Sequence, residues 1–160
     1  MNDLKVEVVV SAPLNDVWSA WTSSEGVKSW FSPDAKIDPH PGGPFELFFD
    51  PANHDHENTK GCVFTEIEHG SSLSFTWKGP GQFEQLMNDP SRLTKVLVTF
   101  HDVSGLTRVI INHIGWGSGE EWAQAREWHQ KAWKDALASL KSVLESREGE
   151  TWTAPEQNDE

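Results

Sequence analysis

The feature that most constrains this chain lies near its end. Trp122, Arg126, His129, Trp133, Ala136, Leu137, Leu140 and Leu144 recur mostly at three- and four-residue steps, which puts them on one stripe of a helix. Ser118-Gly119-Glu120-Glu121 reads as a capping box. It predicts a helix from about Gly119 to Glu145, with Gly149 beyond it as a stop. So long a helix with one apolar stripe needs a large surface to lie on. A curved antiparallel sheet of about six to seven strands would supply one, because such a sheet keeps one face covered and one face wet.

The preceding residues carry that alternation. Val6, Val8 and Val10 face one way and Lys5 and Glu7 the other, so Lys5 to Ser11 reads as a half-buried strand. Ser11-Ala12-Pro13 opens a short helix whose apolar side is Val17, Trp18 and Trp21. Thr22-Ser23-Ser24-Glu25 is a second capping-box pattern, for a short helix ending near Trp30. Asp34 to Asp38 is a weak strand, and Pro41-Gly42-Gly43-Pro44 is a turn. Three inward sets are then expected: Phe45, Leu47 and Phe49; Val63, Thr65 and Ile67; Leu73, Phe75 and Trp77. A polar loop runs from Pro51 to Lys60, and a Gly/Pro/Asn-rich loop with room for a short helix from Lys78 to Ser91. Lys95 to Asp102 and Thr107 to Ile114 form a hairpin around Ser104-Gly105, with Val96, Val98, Phe100, Val109, Ile111 and His113 inward.

The fold class this order predicts is α+β, with two short helices after the first strand and a sheet wrapped around a long C-terminal helix. Residues 1–148 are expected to form one domain and 149–160 an acidic, flexible tail, since Glu145 to Glu160 holds six acids against one Arg. The chain has 13 Lys plus Arg against 25 Asp plus Glu, a net charge of −12, which makes nucleic acid and anionic membranes poor partners. No apolar run approaches the roughly 18 residues of a membrane span. Cys62 is the single cysteine, so no internal disulfide can form, which fits a cytoplasmic setting. Nine Trp and eight Phe, with no Tyr, must build the core of a chain only 36% hydrophobic. Rings this large also suit the wall of a cavity.

Four stretches carry a resemblance. They are Ser11-Ala12-Pro13 with Val17-Trp18-Ser19-Ala20-Trp21-Thr22; Val27-Lys28-Ser29-Trp30-Phe31 with Gly42-Gly43 and Phe45; Gly61, Val63 and Glu66 with Leu73-Ser74-Phe75-Thr76-Trp77; and Thr107-Arg108-Val109 with His113, Gly115-Trp116, Trp133, Leu137, Leu140 and Lys141. In this order, over roughly residues 6–145, the chain resembles the family named after the heat-shock protein 90 ATPase activator. That family lies within the START-related, helix-grip (SRPBCC, birch-pollen allergen-like) superfamily. The resemblance implies a helix-grip fold with a ligand cavity. It specifies fold more than activity. Pro44 after the glycine pair and the Lys78–Ser91 loop depart from the family pattern and would reshape the cavity mouth.

The expected function is binding of a small apolar or amphipathic molecule, lipid-like or polyketide-like, in an internal cavity. Trp30, Phe45, Phe75, Trp77, Phe100, Trp116 and Trp122 could line it, although buried rings more often simply fill space. Trp133 is expected to be core. His113 and His129 could orient a polar group or act as acid or base, and Arg126 could hold a carboxylate; the competing role for each imidazole is a structural hydrogen bond. Catalytic residues are not assignable, no cofactor is expected, and the alternatives are a cavity enzyme of cyclase, dehydratase or hydrolase type and a chaperone ATPase-regulating module. His54-Asp55-His56-Glu57 resembles a metal string but has no partner cluster at a recognised spacing, so no metal site is expected. Cys62 reads as a small packing residue. Monomer and homodimer are both open.

Overall fold

The computed structural model describes residues 3–50 and 52–148. The expected acidic tail, 149–160, lies outside the described residues. The elements run β1 (Leu4–Val10), α1 (Leu14–Thr22), α2 (Ser24–Lys28), β2 (Asp34–Ile37), β3 (Phe45–Phe48), β4 (Phe64–Glu68), β5 (Ser72–Trp77), α3 (Glu84–Met87), β6 (Thr94–Val103), β7 (Leu106–Ile114) and α4 (Glu120–Glu148). A single 3₁₀ turn, Gly81–Phe83, precedes α3.

Five strands form an antiparallel sheet in the order β1-β7-β6-β5-β4, and β2 pairs with β3. An isolated bridge at Pro44–Val63 joins the smaller pair to the edge of the larger sheet just before β4, and a second at Phe48–Asn58 ties β3 to the polar loop. The Phe45 amide donates to the Cys62 carbonyl at 2.9 Å and the Phe64 amide to the Gly43 carbonyl at 2.9 Å. The seven expected strands are therefore present but divided five and two. Pro44 is tolerated in this bridge because the two hydrogen bonds that flank it are donated by the Phe45 and Phe64 amides, so no donor is needed at position 44 itself.

The hairpin between β6 and β7 turns at Ser104 and Gly105, both with positive φ (55° and 90°), the backbone a tight two-residue turn requires. Its inward set, Val96, Val98, Phe100, Val109, Ile111 and His113, is buried as the alternation predicts. β5 likewise buries Leu73, Phe75 and Trp77.

Two strand phases differ from expectation. β4 buries Cys62 and Phe64 at its start, leaving Val63 and Thr65 half-buried, and a register shift between Phe64 and Glu66 changes the phase before Ile67. Such a bulge lets one strand present two phases, which simple alternation cannot anticipate. β3 ends at Phe48, which is buried against His54 with ring centroids 4.3 Å apart, and Phe49 points outward. The second capping motif is also displaced by one residue. Ser23, not Thr22, accepts the Gly26 amide at 2.9 Å, while the Thr22 hydroxyl donates back to the Trp18 carbonyl.

Helix α4 lies on the inner face of the sheet. Its stripe buries His129, Trp133, Leu137, Leu140 and Leu144, joined by Ala125, while Trp122, Arg126 and Ala136 are half-buried. A long helix held by a curved antiparallel sheet, with α1 and α2 closing one end, is the helix-grip arrangement. No helix among the described residues is long and apolar enough to cross a membrane.

Candidate functional site

The space between sheet and helix is largely filled by rings. Phe45 and Phe75 stack with centroids 3.8 Å apart, and Phe100 meets Trp18 edge-on at 5.1 Å. Trp21 lies among Trp30, Phe75 and Phe100. Three of the expected wall residues, Phe45, Phe75 and Phe100, are thus core, away from the lining described next. Between these rings and α4 lies a cleft of about 620 Å³ that opens to solvent.

One wall of the cleft is Trp30, Phe31 and Phe49; the other is Trp128, His129, Ala132, Trp133, Ala136 and Ser139 of α4. Trp77 lies at its base and Lys78, Gly79 and Pro80 follow it along the rim. Each wall is locked. The Trp30 indole donates to the Ala20 carbonyl at 2.8 Å, and Phe31 stacks on Trp30 at 4.5 Å. The Ser139 hydroxyl donates to the Trp30 carbonyl at 2.8 Å, tying α4 to the turn after α2. At the mouth, Glu57 accepts the Gly81 amide through both carboxylate oxygens (3.1 and 3.3 Å), which joins the two long loops. Among the described residues Lys78, half-buried on the same rim, forms no salt bridge.

Of the two histidines, His129 lines the cleft and His113 lies behind it, against Trp133 and Trp116. The Trp77 indole donates to His129 Nε2 at 3.1 Å, and the Trp133 indole donates to His113 Nδ1 at 3.0 Å. Since an indole N–H only donates, each of those ring nitrogens is unprotonated. The protons therefore sit on His129 Nδ1, which donates to the Ala125 carbonyl at 2.8 Å, and on His113 Nε2, which donates to Thr94 Oγ1 at 2.8 Å. Burial pushes His129 down to about 4. Burial, and then the neighbouring His129, hold His113 well below its usual value. Both rings are neutral, and all four ring nitrogens are engaged with protein groups.

Of the residues singled out from sequence, Trp30, Trp77 and His129 meet at the cleft. Trp116, Trp122 and Arg126 instead border a separate depression of about 270 Å³ at the start of α4. His113 is buried under Trp116 and Trp133. Trp133, expected as core, is 2% exposed and also contributes to the cleft wall. Phe31, Phe49, Lys78 and Trp128 line the cleft without having been singled out. Phe49 was hidden by the strand phase, and Trp128 by lying off the apolar stripe.

The remaining candidates have structural partners. His54 Nε2 lies 2.8 Å from Asp34 Oδ2 and His56 Nδ1 lies 3.1 Å from Asp50 Oδ2, so the string spends its imidazoles on tying the loop to β2 and to the end of β3. Among the described residues no three His, Cys, Asp or Glu side chains are arranged to hold a metal ion. Cys62 is fully buried, and burial pushes its thiol up to about 11, far from a reactive thiolate.

Comparison with solved structures finds the same fold repeatedly. A protein of Mesorhizobium loti aligns with a TM-score of 0.72 at 18% identity, over 90% of this chain and 97% of that one. The Aha1 dimer from Colwellia psychrerythraea aligns with a TM-score of 0.70 at 18% identity, over 91% and 97%. DynU16, a protein in the dynemicin biosynthetic locus, gives 0.70 at 21% identity, over 91% of this chain but 48% of its own. No curated protein matches. The family model described as Activator of Hsp90 ATPase homolog 1-like protein matches residues 11–145, nearly the whole of the described fold, and the chain belongs to that family.

Proposed function

We propose that this protein binds a small apolar or amphipathic molecule in the cleft between the sheet and α4. The observation that carries this reading is the cleft itself. Its volume of about 620 Å³ falls within the range of small-molecule sites, and its walls are aromatic at the centre and polar at the rim. A fold neighbour associated with dynemicin biosynthesis supports a lipid-like or polyketide-like ligand. Trp30, Trp77 and Trp133 would supply apolar contact; His129, also in the cleft wall, would hold Trp77 in place. The setting proposed is the cytoplasm.

Catalysis in the same cleft has less support, because His113 and His129 spend both nitrogens on protein partners. The family's name favours a second reading, a module that regulates a chaperone ATPase. The exposed rings of Phe49 and Trp128 on opposite lips would be the contact points for it. The Colwellia relative is a dimer, and either a monomer or a homodimer could present this cleft.

The test is a thermal-shift screen of lipids and planar aromatic compounds on the wild type and on Ala136→Trp, which fills the cleft with an indole. Stabilisation of the wild type and none of the variant is expected. Equal shifts in both proteins would move the site elsewhere. A change in chaperone ATPase rate, absent from a Trp128→Ala variant, would favour the second reading instead.

A further inference from the structure

We infer that the ligand of this cleft is a planar amphipathic acid carrying a single negative charge, paired by Lys78; this rests on the cleft-binding reading above. Three groups with formal charge line the cleft, Glu57, Lys78 and Asp135. Two of them are already engaged. Glu57 is bound to the Gly81 amide, and Asp135 Oδ2 accepts from Lys131 Nζ at 2.9 Å. Lys78 is the remaining one, half-buried and without a salt bridge among the described residues.

Its position suits this role. Lys78 directly follows Trp77, so the cation stands where the aromatic base of the cleft gives way to its polar rim. Its ammonium lies over Gly61, where an added Cβ would come 3.8 Å from Nζ. The Gly61 amide donates to Glu46 Oε2 at 3.0 Å, so this carboxylate also stands near the ammonium without forming a salt bridge with it, and a bound carboxylate would have to draw the flexible stem away from it. A flat ring system would extend the stacking already present in the wall, where Phe31 lies nearly parallel to both Trp30 (15°) and Trp77 (10°). A carboxylate at the rim would gain a charge-assisted bond without giving up the apolar contact.

The surroundings also limit the charge. On its outer side Lys78 shares a polar depression with Asp55, Glu57, Glu84 and Asp89. A phosphate dianion would meet that negative field with one cation to offset it, whereas a carboxylate monoanion is matched one to one.

Calorimetric titration with 2-naphthoic acid, methyl 2-naphthoate and 2-naphthyl phosphate at neutral pH tests this, using the full chain and the variants Lys78→Met and Lys78→Arg. The acid should bind about tenfold more tightly than the ester, the size of one charge-assisted hydrogen bond. It should also outbind the phosphate, and weaken with added salt while the ester does not. Lys78→Met should reduce the acid to the ester's affinity, and Lys78→Arg should keep the preference. Equal affinity of acid and ester for the wild type, or an acid preference that survives Lys78→Met, overturns the inference while leaving cleft binding intact. Tighter binding of the phosphate overturns the single-charge assignment. If neither acid nor ester binds, cleft binding fails for planar aromatics and the inference falls with it. The wild-type comparison of acid with ester needs no variant to fold.

Discussion

An indole N–H has one thing to offer a histidine, a proton to accept, and two such donors set the state of the buried pair. Nuclear magnetic resonance of the imidazole nitrogens at neutral pH should find the Nδ1–H tautomer at His129 and the Nε2–H tautomer at His113. The reverse assignment at either ring would contradict the hydrogen bonds. Stability should follow the same groups. An unfolded imidazole titrates near 6.5, whereas His129 stays neutral down to about 4 and His113 is also depressed. Between those values the unfolded chain binds protons that the native chain refuses. Stability is therefore full above about pH 6.5 and is lost as pH falls towards 4, at about 1.4 kcal/mol per pH unit for each histidine. Urea midpoints at a series of pH values measure this, and a flat profile would contradict it. Sequence placed both histidines on buried faces and gave a structural hydrogen bond as the alternative to a ligand. It did not reveal the partners, because Trp133 is 20 residues from His113 and Trp77 is 52 from His129. Such pairings exist only once the helix lies on the sheet.

At the scale of elements, local signals worked where one residue type has one steric meaning. Ser104-Gly105 marked a hairpin, and the turn adopts the positive φ angles that it demands. They failed where the backbone departs from a strict period, as at the β4 bulge and the end of β3. Gly26 shows how packing reverses a local preference. It lies inside α2, where alanine ordinarily gains about 1 kcal/mol over glycine. Here an added Cβ would stand 2.3 Å from the Ser19 carbonyl oxygen and 2.9 Å from Ala20 Cα, so α1 and α2 touch through backbone. Gly26→Ala should therefore destabilise the protein by about 1–3 kcal/mol, the usual cost of overpacking. Chemical denaturation gives the value, and a gain in stability would show that the helices can separate freely. Trp133→Ala tests the other side of the same packing. Trp133 contacts Phe31, Trp77 and His113 from α4. Its removal should cost about 3–5 kcal/mol, and a loss below 1 kcal/mol on this scale would mean that α4 does not depend on this ring.

For the molecule as a whole, the long apolar stripe anticipated the architecture, since such a helix needs a sheet to hold it. The site was less legible. An aromatic-rich composition is compatible with a wall or with a filled core, and this fold uses its rings for both. Phe45 and Phe75 close the interior, while Trp30, Phe31 and Trp133 leave a cleft open at the surface. Which rings do which depends on the loops at the mouth, tied by Glu57 to Gly81, and loop closure of this kind leaves no periodic trace. The central claim is that a small molecule occupies this cleft. Native mass spectrometry of the freshly purified protein, followed by denaturing extraction, tests it most directly. The account predicts a reproducible added mass on the wild type that is released on denaturation and absent from Ala136→Trp. An added mass retained in full by Ala136→Trp would contradict it, as would a bare wild-type mass together with no stabilisation by any lipid or planar acid.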